Sequence, residues 1–310
     1  MPWLRQHGGS YDCVIVNGMW QYPSFAVWRR FAGSSTPYYV FPHGMLDPWF
    51  KRTYPLKHLK KWFYWPWAEY RILRDAKAVI FTSEQERVEA RESFCLYRSH
   101  ERVSPLGVEA PAPTNAATKE VFATKFPQLR DRPMLLFLGR LHPKKGCDLA
   151  IRALAESGVP DLGLVLAGPD QIGWQAELQT LAEQLGVNDR VLFPGMLESE
   201  MKQSAMANAD AFLLPSHQEN FGMAVVEALA EGLPVLISNR INIWREIESD
   251  GAGYVADDTL EATKLLIERW ANTPSERRAT MRANAKRSFL NRFEIGRAVD
   301  SLLDILSEAR

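Results

Sequence analysis

The sequence predicts an α/β protein made of two doubly wound parallel-sheet domains. Three observations carry that expectation. Near-continuous apolar runs recur along the chain, each ended by turn residues, which is how strands covered on both faces read. Helix-like stretches rich in Ala, Glu and Leu separate them, giving the alternation of βαβ units. A stretch without periodicity, "EAPAPTNAATKE" (109–120), splits the runs into two sets and is the best linker candidate.

In the first set, "YDCVIVNG", "PYYVFPHG" and "AKAVIFTS" read as strands, and "RVSPLGV" as a short fourth. The stretch "SEQERVEARESF" reads as a helix. Ser83 stands at its cap with Glu86 three residues on, the spacing of a capping box. The second set is "MLLFLGR", "LGLVLAGP", "RVLFPG", "AFLLPS" and "LPVLISN". Helical "GCDLAIRALAESG" and "GWQAELQTLAEQLGV" lie between the first of these. The expected organisation is a first domain over 1–112, a linker over 113–132, a second domain over 133–290 and a terminal helix over 291–310.

Composition narrows the class. The 310 residues are 46% hydrophobic and 24% charged, as in soluble globular proteins. No apolar run reaches the length of a membrane span, and the first residues lack the pattern of a signal peptide. Three scattered cysteines, Cys13, Cys95 and Cys147, argue for a reducing, cytoplasmic compartment and against a disulfide framework or zinc site. The net charge of zero hides a split. Residues 1–130 carry 18 Lys and Arg against 11 Asp and Glu, net +7, and the rest is −7. Either the first half meets something anionic or its surface charge has drifted.

The ends of the second-set strands hold the unusual residues. Gly139-Arg140 ends one strand and runs into "LHPKKG" with Lys145. Gly168 and Gly195 end two others. "FLLPS" leads to His217, Glu219 and a helix start at Gly222. Ligands of such folds sit at the carboxyl ends of strands. Two cations in one loop, Arg140 and Lys145, beside the N–H groups of a helix start, suit a diphosphate. Glu227, one turn inside that helix, suits the paired hydroxyls of a ribose. Glu219, on the loop before it, would sit beside whatever the diphosphate carries. Singly, each of these residues is most simply a solvated surface group; their concentration at the ends of one sheet is what points to a site.

The set "GRLHPKKG" (139–146), "LAGPD" (166–170), "VLFPGML" (191–197) and "PSHQENFGMAVVEALAEGLPVLIS" (215–238) resembles the retaining glycosyltransferases of family 4, which have the GT-B fold. "HGMLDPW", "FTSEQE" and "SPLGV" in the first half resemble the family more weakly. The resemblance implies transfer of a sugar from a nucleoside diphosphate sugar to a hydroxyl, in polysaccharide or glycolipid assembly, at the inner face of the membrane or in the cytoplasm. It implies a donor site of Arg140, Lys145, Gly168, Met196, Leu197, Asn220, Phe221, Gly222 and Glu227. It also implies catalytic work by Glu219, His43, Arg140 and Lys145, and a terminal helix packed back on the first domain. The family normally opens with a further strand and a Gly-rich loop, so the first domain is expected to be incomplete. A nucleotide-sugar-binding protein without turnover, needing a partner, is the alternative.

Arg140 and Lys145 would stabilise the diphosphate as it gains charge on leaving. No Asp-x-Asp occurs, so no metal or other cofactor is expected. Glu219 could be a nucleophile or an electrostatic and positioning group. With no second carboxylate paired to it, positioning is favoured. The acceptor would be a glycan or lipid-linked hydroxyl, its proton passing to the leaving phosphate.

One stretch falls outside this scheme. "WFKRTYPLKHLKKWFYWPWAEYRILR" (49–74) mixes seven Lys and Arg with many aromatics. It reads as a docking surface for an anionic membrane or as an aromatic core face with solvated lysines. A nucleic-acid groove would use the same residue types, but no nucleic-acid motif accompanies them.

Overall fold

The computed structural model describes residues 1–130 and 132–308. Positions 131, 309 and 310 fall in the expected linker and terminal helix and lie outside the described residues. The chain forms two compact units, Met1–Gly107 with Gly296–Arg310, and Val108–Ile295.

The first unit runs α1 (Pro2–His7), β1 (Val14–Asn17), α2 (Tyr22–Phe31), β2 (Tyr38–Phe41), α3 (Trp49–Thr53), α4 (Pro55–Tyr64), α5 (Glu69–Asp75), β3 (Ala78–Phe81), α6 (Glu84–Ala90) and β4 (Glu101–Val103). The second runs α7 (Ala116–Lys125), β5 (Met134–Leu138), α8 (Cys147–Glu156), β6 (Gly163–Ala167), α9 (Gln175–Gln184), β7 (Val191–Gly195), α10 (Ser199–Asn208), β8 (Ala211–Leu214), α11 (Met223–Ala230), β9 (Val235–Ser238), α12 (Trp244–Asp250), β10 (Gly253–Ala256), α13 (Leu260–Ala271) and α14 (Ser275–Ser288). Helix α15 (Ile295–Ser307) returns the chain to the first unit.

All described strand pairs are parallel. The first sheet has the order β1-β2-β3-β4. Its middle strands are buried on both faces because side chains alternate across a sheet. Tyr38, Val40, Val79 and Phe81 join Trp28, Phe31 and Trp65 on one face. Tyr39, Phe41, Ala78 and Ile80 lie on the other, with Leu302, Ile305 and Leu306 of α15 against them.

The second sheet has the order β10-β9-β8-β5-β6-β7. The chain starts in the middle at β5, builds outward through β6 and β7, then returns to the other side of β5 with β8. Connections diverge from that point, so a crevice opens at the carboxyl ends of β5 and β8. Both strands are fully buried, which makes the loops after them a rigid floor.

Two expectations are corrected. Residues 113–132, read as a linker, hold α7, capped where the Asn115 side chain accepts from the Thr118 N–H. Phe122 and Ala123 are buried, and the Phe122 N–H donates to Ser204 Oγ of α10. The low periodicity of this helix hid it, because it buries only a narrow stripe. At α6, Ser83 does accept from the Glu86 N–H, at 3.1 Å. Glu86, however, does not close a capping box. Its carboxylate is buried and accepts from the Gly44 N–H at 2.6 Å and from the N–H and hydroxyl of Thr82, each at 2.7 Å.

The loop after β5 touches the loop after β8 at a glycine. Gly146 has φ +68, and a Cβ there would overlap the Pro215 carbonyl oxygen. Gly158 has a similar φ of +67 with nothing within 4 Å of that position. Gly158→Ala should therefore cost only the left-handed backbone penalty, about 1 kcal/mol. Gly146→Ala adds a clash with main chain and should cost about 3 kcal/mol or more. Urea unfolding of the two variants checks the difference.

Candidate functional site

The crevice of the second unit is built from the β5–α8 loop and the β8–α11 loop. The first is shaped by His142, whose Nδ1 accepts from the Lys144 N–H at 3.1 Å. Burial and then the neighbouring Arg140, Lys144 and Lys145 push the His142 imidazole below its usual range, as an acceptor nitrogen requires. Its role is to cap a tight turn that delivers Lys145. The two loops are joined by the His217 N–H donating to the Lys144 carbonyl at 2.9 Å. The β8–α11 loop is pinned from its other side. The Glu219 N–H donates to the Arg240 carbonyl at 2.9 Å, and the Glu219 carbonyl accepts from the Asn242 N–H at 3.2 Å. Asp258 ties the neighbouring side chains, accepting from Arg240 Nε at 2.9 Å and lying 2.8 Å from His217 Nδ1.

These supports bring Lys145 Nζ into contact with Glu219 Oε2. Both side chains are mostly buried, with 15% and 21% of their surface exposed. Burial, with Lys144 and Arg140 adding to it, pushes the Lys145 ammonium down to about 8. The Glu219 carboxylate is its ion-pair partner. The residues expected to serve phosphate and sugar separately are thus partners of each other. Arg140, in contrast, is exposed and reaches Gln171 Oε1 at 3.4 Å.

Gly222 stands before α11 with φ +83 and, lacking a side chain, gives the helix no side-chain cap. The Val225 and Val226 N–H groups donate to the Gly222 carbonyl, at 2.8 and 3.1 Å. Asn220 lies half-buried in the loop of Glu219. Phe221 is buried with its ring edge-on to Phe293, centroids 5.8 Å apart, so its side chain belongs to the core. Gly168 is likewise taken up by packing: its N–H donates to the Gly195 carbonyl at 2.9 Å, and a Cβ would overlap the Gly139 carbonyl oxygen. After β7, Leu197 is buried and Met196 is exposed.

Glu227 Oε1 accepts from Lys202 Nζ of α10 at 2.9 Å. Together with Glu109, Ser199, Gln203 and Glu231 the pair lines a cavity of about 240 Å3. Ser199 is a non-glycine residue at φ +44, and such strain gathers at functional sites. Neither Lys202 nor Ser199 carries a motif in the sequence. Only the ion pair from α10 to α11 makes Lys202 visible.

His43 belongs to the first unit. It has φ +49, its ring stacks on Phe41 with centroids 5.4 Å apart, and its Nε2 lies 2.9 Å from Asn17 Oδ1. Burial lowers its pKa, with the Glu86 charge opposing. The ring is held neutral, with Nε2–H donating to Asn17 and Nδ1 left as acceptor. The buried Glu86 fixes the next residue, Gly44, and so sets this loop.

Comparison with known proteins adds lineage. Residues 119–288 match the family model "Glycosyl transferases group 1", and residues 1–107 match "Glycosyl transferase 4-like domain". The D-inositol 3-phosphate glycosyltransferase of Xylanimonas cellulosilytica is 28% identical over 253 residues, 78% of this chain and 59% of that protein. The GDP-mannose-dependent alpha-(1-6)-phosphatidylinositol monomannoside mannosyltransferase of Mycolicibacterium smegmatis is 34% identical over 204 residues, 61% of this chain and 51% of its own. The chain therefore spans about half to three-fifths of the length of these relatives. Among solved structures, HepE of Anabaena in complex with UDP and glucose superposes with a TM-score of 0.80 at 20% identity, covering 99% of this chain and 81% of HepE. Sucrose-phosphate synthase of Thermosynechococcus elongatus gives 0.79 at 21%, covering 98% and 75%. These likenesses show the GT-B fold.

Neutralising Glu219 should expose what Lys145 costs. Glu219→Gln leaves a mostly buried ammonium without its counter-charge and should destabilise the protein by about 2 kcal/mol near pH 7. Burial, with Lys144 and Arg140, already holds the folded-state pKa at about 8, below the 10.5 of an unburied lysine, and losing the carboxylate does not raise it. Between those values the unfolded chain binds the extra proton. Stability of the variant should therefore rise as pH climbs from about 8 to 10.5, and the added Lys145→Met change should flatten that rise. Thermal melts across this range measure both.

Proposed function

The chain belongs to the glycosyl transferases group 1, and we propose that it transfers a sugar, with retention, from a nucleoside diphosphate sugar to a hydroxyl of a glycan or lipid-linked acceptor. The observation that carries this reading is the Lys145–Glu219 pair at the crevice between β5 and β8. A diphosphate entering there presents more negative charge to Lys145 than one carboxylate does. Lys145 then turns to the phosphates, with Arg140 free to swing in from the surface. The N–H groups opening α11 add a positive helix end. Glu219, released from its partner, faces the sugar that the diphosphate carries.

The reaction breaks the bond between the anomeric carbon and a phosphate oxygen and forms one to the acceptor oxygen. Lys145 and Arg140 act on charge that grows on the leaving diphosphate, which makes them worth more in the transition state than in the ground state. The acceptor proton passes to the departing phosphate oxygen. Glu219 holds sugar hydroxyls and stabilises positive charge at the anomeric carbon. Glu227, with Lys202 beside it, receives the ribose hydroxyls, and Met196 and Leu197 flank the base through their backbone. His43, on the first unit, is a loop histidine whose Nδ1 can accept a hydrogen bond. No metal ion is needed, since the phosphate charge is met by side chains and a helix end. The donor chemistry is that seen with HepE, solved with UDP, with UDP and glucose and with UDP-glucose. The three free cysteines agree with work in the cytoplasm.

A calorimetric panel of UDP, GDP and ADP against the free nucleosides tests the reading. Lys145→Ala should weaken the preferred nucleoside diphosphate by roughly tenfold to a hundredfold while leaving the nucleoside within about twofold, as expected for loss of a charge-assisted bond. Glu227→Ala should weaken both ligands alike. Equal losses for both ligands in Lys145→Ala would remove that residue from the phosphates. Indifference of the native chain to every nucleotide would sink the reading.

A further inference from the structure

Helix α4 is amphipathic the wrong way round. Residues three, four and seven apart share a helix face. His58, Lys61 and Trp65 point inward: His58 and Trp65 stack on Phe94 with centroids 4.5 and 4.3 Å away, and Lys61 Nζ sits over Trp20 at 4.7 Å. The opposite face carries Leu56, Leu59 and Phe63, which are 82%, 50% and 65% exposed. Trp62 and Trp67 extend this apolar surface, the latter 70% exposed. No residue of α4 itself is buried. An ordinary surface helix hides such a stripe in the core, and large contiguous exposed apolar patches mark interaction sites.

The charges around the stripe identify its partner. Residues 49–64 contain five Lys and Arg and no acid. Lys51, Arg52, Lys57 and Lys60 are all exposed. Arg52 lies 4.0 Å from Glu92, both side chains well exposed. Protein–protein interfaces are depleted in lysine, whereas leucines and aromatics bordered by lysines are what an anionic lipid surface receives. From this we infer that the outward face of α4, with α3 beside it, docks the protein on an anionic membrane. Leu56, Leu59 and Phe63 enter the headgroup–acyl boundary, Trp62 and Trp67 settle at headgroup depth, and the lysines meet lipid phosphates. The aromatic core-face expectation for 49–74 holds only for its inward residues, such as Trp65, Ile72 and Leu73. No described helix is long and apolar enough to cross a membrane.

Flotation with vesicles of phosphatidylcholine, alone or mixed with phosphatidylglycerol, tests this at low and high salt. The native chain should float with the anionic vesicles, stay down with the neutral ones, and float less as salt rises. Each lysine near an anionic leaflet strengthens binding roughly fivefold. Lys57→Glu/Lys60→Glu should thus lower partitioning by at least about twenty-five-fold. Leu56→Ser/Phe63→Ser, which alters only outward side chains, should abolish the binding that survives high salt. Failure of the native chain to float, equal flotation with both vesicles, or flotation of both variants like native would overturn the inference. So would a native dimer, seen by sedimentation, that Leu56→Ser/Phe63→Ser turns into a monomer, or retention of an oligonucleotide in place of vesicles. The surface stands on the first unit alone, so its failure would leave the nucleotide panel unaffected.

Discussion

The second unit depends on an ammonium held where burial disfavours its charge. Lys145 is tolerated there because Glu219 meets it, and Glu219 can meet it only because two loops are locked together. Gly146 lets the main chain come down on Pro215, and the His217 N–H reaches the Lys144 carbonyl. A third loop, after β9, holds Glu219 from behind through Arg240 and Asn242. An isolated buried charge is expensive, whereas a paired one in a stiff frame can exchange its partner for a better one. A site that keeps its cation charged and oriented before a ligand arrives spends little on reorganisation at the moment of reaction.

The first unit uses buried carboxylates in another way. Glu86 ties the loop after β2 to the end of β3 with two backbone bonds, so His43 is placed by a residue more than 40 positions along the chain. Glu69 accepts from the Trp20 N–H at 2.9 Å and is pushed up to about 7 by burial. Trp20 itself has φ +65, a conformation costly for a bulky residue. Both acids secure loops at the carboxyl ends of β1 and β2. That is the edge at which sheets of this class carry their chemistry.

Helix α4 grows out of the same arrangement. Its inward residues are anchored through Trp65, whose Nε1–H donates to the Cys95 carbonyl at 2.8 Å. With one face spent on that anchor, the leucines and Phe63 of the other face have no core left to enter. The positive balance of the first half is concentrated around them. A charge asymmetry that says little as a number gains meaning once it surrounds an apolar face.

The sequence by itself determined the class of fold and singled out the loops at the strand ends of its second sheet. Strands buried on both faces need unbroken apolar runs, and such runs are visible without knowing what they pair with. The loop residues Arg140, Lys145, Glu219 and Glu227 stood out because Gly and charge at strand ends break those runs. What only the tertiary structure decided were pairings across long separations and the direction a side chain faces. Lys145 and Glu219 lie 74 residues apart and Lys202 and Glu227 lie 25 apart, and no local pattern encodes either contact. The packing of Gly168 against Gly139 and of the Phe221 ring against Phe293 is likewise invisible in the sequence. Helix α7 was hidden because its burial rests on one stripe against α10. The periodicity of α4 is equally good for an inward or an outward apolar face, and only the anchoring of His58, Lys61 and Trp65 set which way it turned.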